Sequence, residues 1–207
     1  MSLEVAKIRG IPVRLHFTLL IVSFLIAWTL AGILMPKLYP GLAISVYWIM
    51  GIIDAIVLFV SVLLHELAHS IVAQRYGLVR EIVLYIFGGV SVIDDQDELV
   101  SKDFRKEFKI AIAGPITSFV IAVILATSFW LLLYITVGPH NNADNVSAIM
   151  AVGVFQYGAL VNLLLGGFNL ISAFPLDGGR ILRSALLSSK NNYDKSTKIT
   201  ARIGMAI

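Results

Sequence analysis

The 207-residue sequence contains no cysteine, and only 14% of its residues are charged. The first absence excludes disulfides, thiolate metal sites and a cysteine nucleophile, so any metal must bind through His, Asp or Glu. The second excludes a water-soluble globule, in which about 25% of residues are charged. Intrinsic disorder is excluded as well, because it needs low hydrophobicity and 58% of this chain is hydrophobic. With a net charge of only +3, the placement of the charges matters more than their sum.

What the chain has in abundance is long apolar runs. About 20 apolar residues cross a bilayer as a helix. Four stretches reach that length, at 17–35, 44–74, 110–137 and 149–173. A further apolar pattern starts at Ile199 and reads as the opening of another, truncated span over 199–207. The first run is longer than a signal-peptide core and has no small-residue cleavage site at Met35-Pro36-Lys37, so it reads as a permanent anchor.

Basic residues fix the expected orientation. Lys7, Arg9 and Arg14 precede the first run, and Arg75, Arg80, Lys102, Arg105, Lys106 and Lys109 separate the second from the third. Arg180, Arg183, Lys190, Lys195, Lys198 and Arg202 follow the fourth, whereas the opposite loops hold only Lys37. The positive-inside rule then places the N-terminus and the 77–109 connection in the cytoplasm. These charges flank spans instead of lining one face, so no nucleic-acid partner is expected.

Two amphipathic segments are not spans. Residues 5–16 contain period-two alternation around Gly10-Ile11-Pro12, and residues 82–93 form two β-rich runs around Gly88-Gly89, a hairpin signal. Both fall on the same expected side, where they can share one small sheet, within a hairpin and connector at 78–109. Residues 94–109 read as a charged, solvated and partly helical connector.

The second run contains His65-Glu66-Leu67-Ala68-His69. Residues four apart share a helix face, so both imidazoles can address one ion while Glu66 reaches a bound water as a base. Ionisable groups inside a span are costly and by default mark function. The competing reading is polar packing against a neighbouring helix, a task that small residues perform more cheaply. A catalytic zinc needs a third protein ligand and an open position. His16 and His140 are poorly placed for this. Asp177 stands in Asn169-Leu-Ile-Ser-Ala-Phe-Pro175-Leu-Asp177-Gly-Gly, where Pro175 and the glycines break the fourth helix. Alone it reads equally well as a helix cap; beside an H-E-x-x-H short of one ligand, the metal role is favoured. Asp54 lies about three turns before His65 on the same face. It reads first as a polar residue near the non-cytoplasmic boundary.

H-E-L-A-H within a span, followed by a later span ending in Asn169-x5-Pro175-Leu176-Asp177-Gly178, resembles the site-2 protease family of intramembrane zinc metalloproteases. Phe87-Gly88-Gly89-Val90-Ser91 is similar to its Gly-rich hairpin, and Ala113-Gly114-Pro115 to the opening of its middle core helix. Ser172 stands where the family often has Pro, and Ser118 where it often has Asn. The resemblance implies an all-α polytopic membrane protein, a helical bundle whose three-helix catalytic core is the second to fourth spans, plus a small cytoplasmic-side β-sheet. It implies one zinc ion per chain on His65, His69 and Asp177, with Glu66 as base and Asn169 as a polar active-site group.

The expected activity is hydrolysis of peptide bonds within transmembrane segments of other membrane proteins, in regulated proteolysis at the cell membrane with the site towards the cytoplasmic half. A substrate helix must unwind to expose its carbonyls, and its freed groups need partners. The edge around Gly88, Gly89, Val90 and Ser91 can provide them by β-addition; the alternative is a membrane-surface clip. Another class, a metal-ion transporter with an intramembrane His/Asp site, would spread polar groups over several spans. A catalytically inactive scaffold is a third reading, against which the intact Glu66 argues. The oligomeric state stays open.

Overall fold

The alternation at the N-terminus folds as β1 (Ser2–Ile8) and β2 (Ile11–His16). They pair antiparallel from Ser2 opposite His16 to Ile8 opposite Ile11. The two-residue turn between them holds Arg9 and Gly10 at φ 52° and 82°. Positive φ at both central residues is what a type I′ hairpin turn demands. A computed structural model describes residues 2–77, 79–85, 88–93, 103–137, 145–173, 175–190 and 193–204.

The second amphipathic segment gives β3 (Val79–Tyr85) and β4 (Gly88–Ile93), again antiparallel. β2 and β3 run parallel, with Val13 opposite Ile82 and Leu15 opposite Leu84. One four-stranded sheet results, in the order β1-β2-β3-β4, so β4 is an edge. Ile11, Val13 and Ile82 are buried, whereas Leu3 and Val5 on the outer strand are exposed. The expectation of one small sheet from two distant segments is thereby met.

The helices are α1 (Thr18–Thr29), which passes through a π-helical stretch (Leu30–Leu34) into α2 (Met35–Leu38), then α3 (Ile44–Gln74), α4 (Phe104–Val137), α5 (Val146–Asn169), α6 (Asp177–Lys190) and α7 (Tyr193–Gly204). Four segments, Thr18–Leu38, Ile44–Gln74, Phe104–Thr136 and Val146–Asn169, are long and apolar enough to cross a membrane. Residues 199–204 form the last turns of α7. The remainder of the expected further span, like His140 and Phe87, lies outside the described residues.

Several helix ends differ from the sequence reading: helix continues past Pro36 to Leu38, and α5 starts at Val146, three residues before the expected run. α4 begins at Phe104, six residues before the apolar run, because the Asp103 carboxylate accepts the backbone N–H groups of Arg105 (3.1 Å) and Lys106 (3.4 Å). This makes the last part of the connector helix, and Glu107 within it is buried instead of solvated. α5 stops at Asn169, where consecutive short-range bonds take over: Leu170 N–H to Gly167, Ile171 N–H to Phe168 and Ala173 N–H to Ile171.

The chain divides into two compact units. One comprises Phe17–Ser61 and Phe119–Leu163. Its core gathers Leu30, Ala31, Met35, Tyr47 and Met50. Asn162 donates to the Ser61 hydroxyl at 2.8 Å and to the Gly158 carbonyl at 2.8 Å, and the Tyr39 hydroxyl donates to Gln156. The Tyr39 hydroxyl is pushed above its ordinary pKa by burial and by the charge of Asp54. Asp54 is fully buried, and neither carboxylate oxygen has a hydrogen-bond partner among the described residues.

The other unit comprises Met1–His16, Val62–Ser118 and Leu164–Ile207, and so holds the sheet and the H-E-x-x-H segment. Here Ala73 and Ile110 are buried with Val72 and Tyr76 against them. The Gln74 side-chain amide donates to the Arg9 carbonyl at 3.0 Å, fastening the end of α3 to the β1–β2 turn.

Candidate metal centre

The centre lies within the unit that holds the sheet, and three elements build it. α3 presents His65 and His69 one turn apart, with ring centroids 4.8 Å from each other. α6 contributes Asp177, its first residue, 8% exposed. α4 supplies the surface on which the imidazoles rest. His65 Nε2 and His69 Nε2 are 3.2 Å apart, and Asp177 Oδ2 is 3.1 Å from the first and 3.0 Å from the second.

The far side of each ring is also held. His69 Nδ1 lies 2.7 Å from the Ile110 carbonyl, which can only accept, so Nδ1 carries the proton there. His65 Nδ1 is 2.9 Å from the Ser118 hydroxyl. The Ser118 hydroxyl can accept from His65 Nδ1 in the same way, and in that tautomer both Nε2 lone pairs point inwards. The Asp177 carboxylate joins them as an anion. Burial pushes its pKa up, but where the imidazoles carry protons on Nε2 their hydrogen bonds and charge outweigh that and draw it down to about 2.

Three lone-pair atoms this close repel one another unless something positive sits among them. A proton can bridge one edge of the triangle, whereas a divalent cation satisfies all three. Bonds of about 2.0–2.1 Å at near-tetrahedral angles hold ligand atoms roughly 3.3 Å apart. The observed edges of 3.0–3.2 Å match that, so His65, His69 and Asp177 fit a zinc ion.

Glycines make the approach possible. A Cβ at Gly114 would collide with His69 Nε2 and come within 2.6 Å of His65 Nε2. A Cβ at Gly178 would run into the carbonyls of Leu170 and Ile171. The first glycine lets α4 lie against the imidazoles. The second lets the start of α6 fold under the turns that end α5, which aims Asp177.

The family model for peptidase family M50 matches residues 53–137 and 134–207. This chain belongs to peptidase family M50. It is 40% identical over 210 residues to a zinc metalloprotease of Methanocaldococcus jannaschii, covering 100% of this chain and 51% of that protein. The solved structure of a site-2 protease from Methanocaldococcus jannaschii is 38% identical, with a TM-score of 0.58, covering 100% of this chain and 81% of that one. The chain spans about half the length of the curated relatives it matches. The resemblance read from the sequence is confirmed, and with four apolar helices this M50 chain is a multi-pass membrane protein.

The structure brings His65, His69 and Asp177 together. Glu66 is half-buried, within electrostatic reach of His69, Asp177 and Arg180. Asn169 turns back on its own helix, donating to the Leu165 carbonyl at 2.8 Å. Gly88, Gly89, Val90 and Ser91 form the start of the edge strand β4. Ser118 makes the contact to His65. The Ile110 carbonyl, the Gly114 clearance and the Arg183–Glu107 ion pair were not singled out from sequence, because each depends on which residue of α4 meets which residue of α3 or α6. Among the described residues this is the one cluster able to hold a metal. A permeation path of polar groups distributed over several spans, as the transporter reading requires, is not favoured.

Proposed function

We propose that this chain is the catalytic membrane domain of a zinc-dependent endopeptidase that cleaves peptide bonds within transmembrane segments of other proteins. The observation that carries the reading is the triangle of His65 Nε2, His69 Nε2 and Asp177 Oδ2, with its outer nitrogens already bonded.

Zinc bound there supplies a Lewis acid that polarises a peptide carbonyl and acidifies water. The chain's own groups do the rest. The Ile110 carbonyl holds His69 in the tautomer that leaves Nε2 free, and the Ser118 hydroxyl orients the His65 ring and can accept from its Nδ1. Glu66, adjacent to the ligand His65, takes a proton from the attacking water on a carboxylate oxygen and returns it to the leaving amine. Asn169 supplies an amide near the carbonyl oxygen once it leaves the Leu165 carbonyl. An unwound substrate segment pairs with β4, whose outer edge has no strand beside it among the described residues. The clustering of Lys and Arg on the loops that flank these elements supports a site in the cytoplasmic half of the bilayer.

The test is elemental analysis of the purified protein beside a cleavage assay on a membrane-spanning peptide, with and without chelator. One zinc per chain and chelator-sensitive cleavage are expected. Glu66→Gln should keep the zinc and abolish cleavage, and His65→Ala should lose both. A Glu66→Gln protein that still cuts would remove the base; zinc-driven flux through proteoliposomes without cleavage would restore the transporter.

A further inference from the structure

Within the same unit, α4 and α6 are joined by a second buried polar contact. Glu107 is 2% exposed. One of its carboxylate oxygens accepts Arg183 Nε at 2.8 Å and also Arg183 Nη2. The other oxygen has no partner among the described residues. The Arg183 side chain is itself only 14% exposed.

The two residues lie where a small movement matters. Glu107 is one helical turn before Ile110, whose carbonyl orients His69, and about two turns before Gly114, which gives the imidazoles room. Arg183 is six residues after Asp177, roughly 9 Å along α6. Asp177 is the first residue of its helix and is reached from α5 only through short turns, so its carboxylate position follows the placement of α6 as a whole. The contact therefore couples the element that carries the aspartate to the element against which both histidines rest.

Stability alone is a poor reason for such a pair. A buried ion pair gains little over apolar residues of the same shape. What it adds is geometry, because the planar guanidinium fixes direction as well as distance. We infer that Glu107 and Arg183 are positioning residues for the metal centre: their ion pair sets α6 against α4 so that the Asp177 carboxylate stays within bonding reach of a zinc ion shared with His65 and His69. This inference rests on the zinc reading above and extends it to the strength with which the ion is held.

The experiment is a chelator competition that measures zinc affinity for the full chain in detergent, alongside thermal melts of the metal-free protein. Variants are Glu107→Gln, Arg183→Lys and Arg183→Met, with the double variant Glu107→Gln/Arg183→Met. Supporting contacts of this kind typically change metal affinity about 10–100-fold. Each single variant should bind zinc at least about tenfold more weakly, Arg183→Lys included, because lysine keeps the charge but not the fork. The double variant should be no weaker than the worse single. Melts of metal-free Glu107→Gln that overlay wild type would show that weaker binding is not unfolding. Lowered melting temperatures with unchanged zinc affinity would make the pair purely structural and overturn the inference. Wild-type protein that binds no zinc would overturn the metal reading itself, and this inference with it.

Discussion

Gly114→Ala is the smallest change that should empty the metal centre. The added methyl would stand 2.6 Å from His65 Nε2 and 2.6 Å from His69 Cε1, where ordinary contact begins near 3.4 Å, and closer still to His69 Nε2. Relief needs a shift of about 0.8 Å or more, and the rings have nowhere to go. Ser118 and the Ile110 carbonyl hold them from behind at 2.9 and 2.7 Å. Metal sites accept ligand distances within about ±0.2 Å, and a misplacement near 1 Å costs about 10²-fold in comparable constellations. Zinc affinity should therefore fall about 100-fold or more, about 2.8 kcal/mol at 1.4 kcal/mol per decade. Helix propensity works in the opposite direction, since alanine within a helix is favoured over glycine by roughly 0.5–1 kcal/mol. The assay is zinc titration followed by the thermal shift that zinc confers. Wild type should gain melting temperature on zinc addition and the variant should not. Full zinc occupancy with unchanged affinity in Gly114→Ala would refute both the clearance argument and the placement of the ion.

Ser118→Ala removes a contact that orients the His65 ring and should weaken zinc binding about 10-fold with the fold intact, read by the same titration. Asp54→Leu replaces a buried carboxylate that has no partner among the described residues. It should raise unfolding stability by roughly 1–3 kcal/mol in detergent denaturation, whereas a loss of that size would show that the carboxylate is engaged. Proline placed singly along Val90, Ser91, Val92 and Ile93 removes one N–H at a time from β4. At positions whose N–H faces away from β3, cleavage should drop while zinc content holds, and unaltered cleavage at all four would end the β-addition proposal.

Much of the fold was legible because its signals are local. Apolar run length marked four spans, and the structure moves their ends by a few residues, as at Asp103, where a cap starts α4 early, and at Leu170, where short-range turns end α5. Alternation in the N-terminal segment and two β-rich runs around Gly88-Gly89 marked the two segments that fold as four strands. Their union into one sheet could be suggested only from shared sidedness, since the parallel β2–β3 pairing joins residues about seventy positions apart. The same division runs through the metal centre. His65 and His69 announce themselves by an i, i+4 interval on one helix. Asp177 needed the helix-breaking Pro175 and the glycines to stand out from an ordinary cap. Ser118, Ile110 and Gly114 carry no spacing signal at all. Their parts follow from which turn of α4 faces α3, a fact of packing that no single element encodes.

Two buried aspartates show why burial alone does not identify a site. Asp177 and Asp54 are both largely shielded from solvent, at 8% and 0% exposure. A carboxylate removed from water is costly unless opposite charge or hydrogen-bond donors compensate it. Around Asp177 the chain places two imidazoles with their outer nitrogens already engaged, so a bound cation would turn a repulsive triangle into three favourable contacts. Around Asp54 no such arrangement is found among the described residues; the nearby Tyr39 hydroxyl is spent on Gln156. The first arrangement could hold a metal ion, and removing its carboxylate should abolish metal binding. The second is a burden on its unit, and removing its carboxylate should strengthen the fold. Opposite responses to loss of the same functional group are what separate a metal ligand from an uncompensated charge, and the Asp177→Ala and Asp54→Leu proteins measured side by side for zinc and for stability would show it.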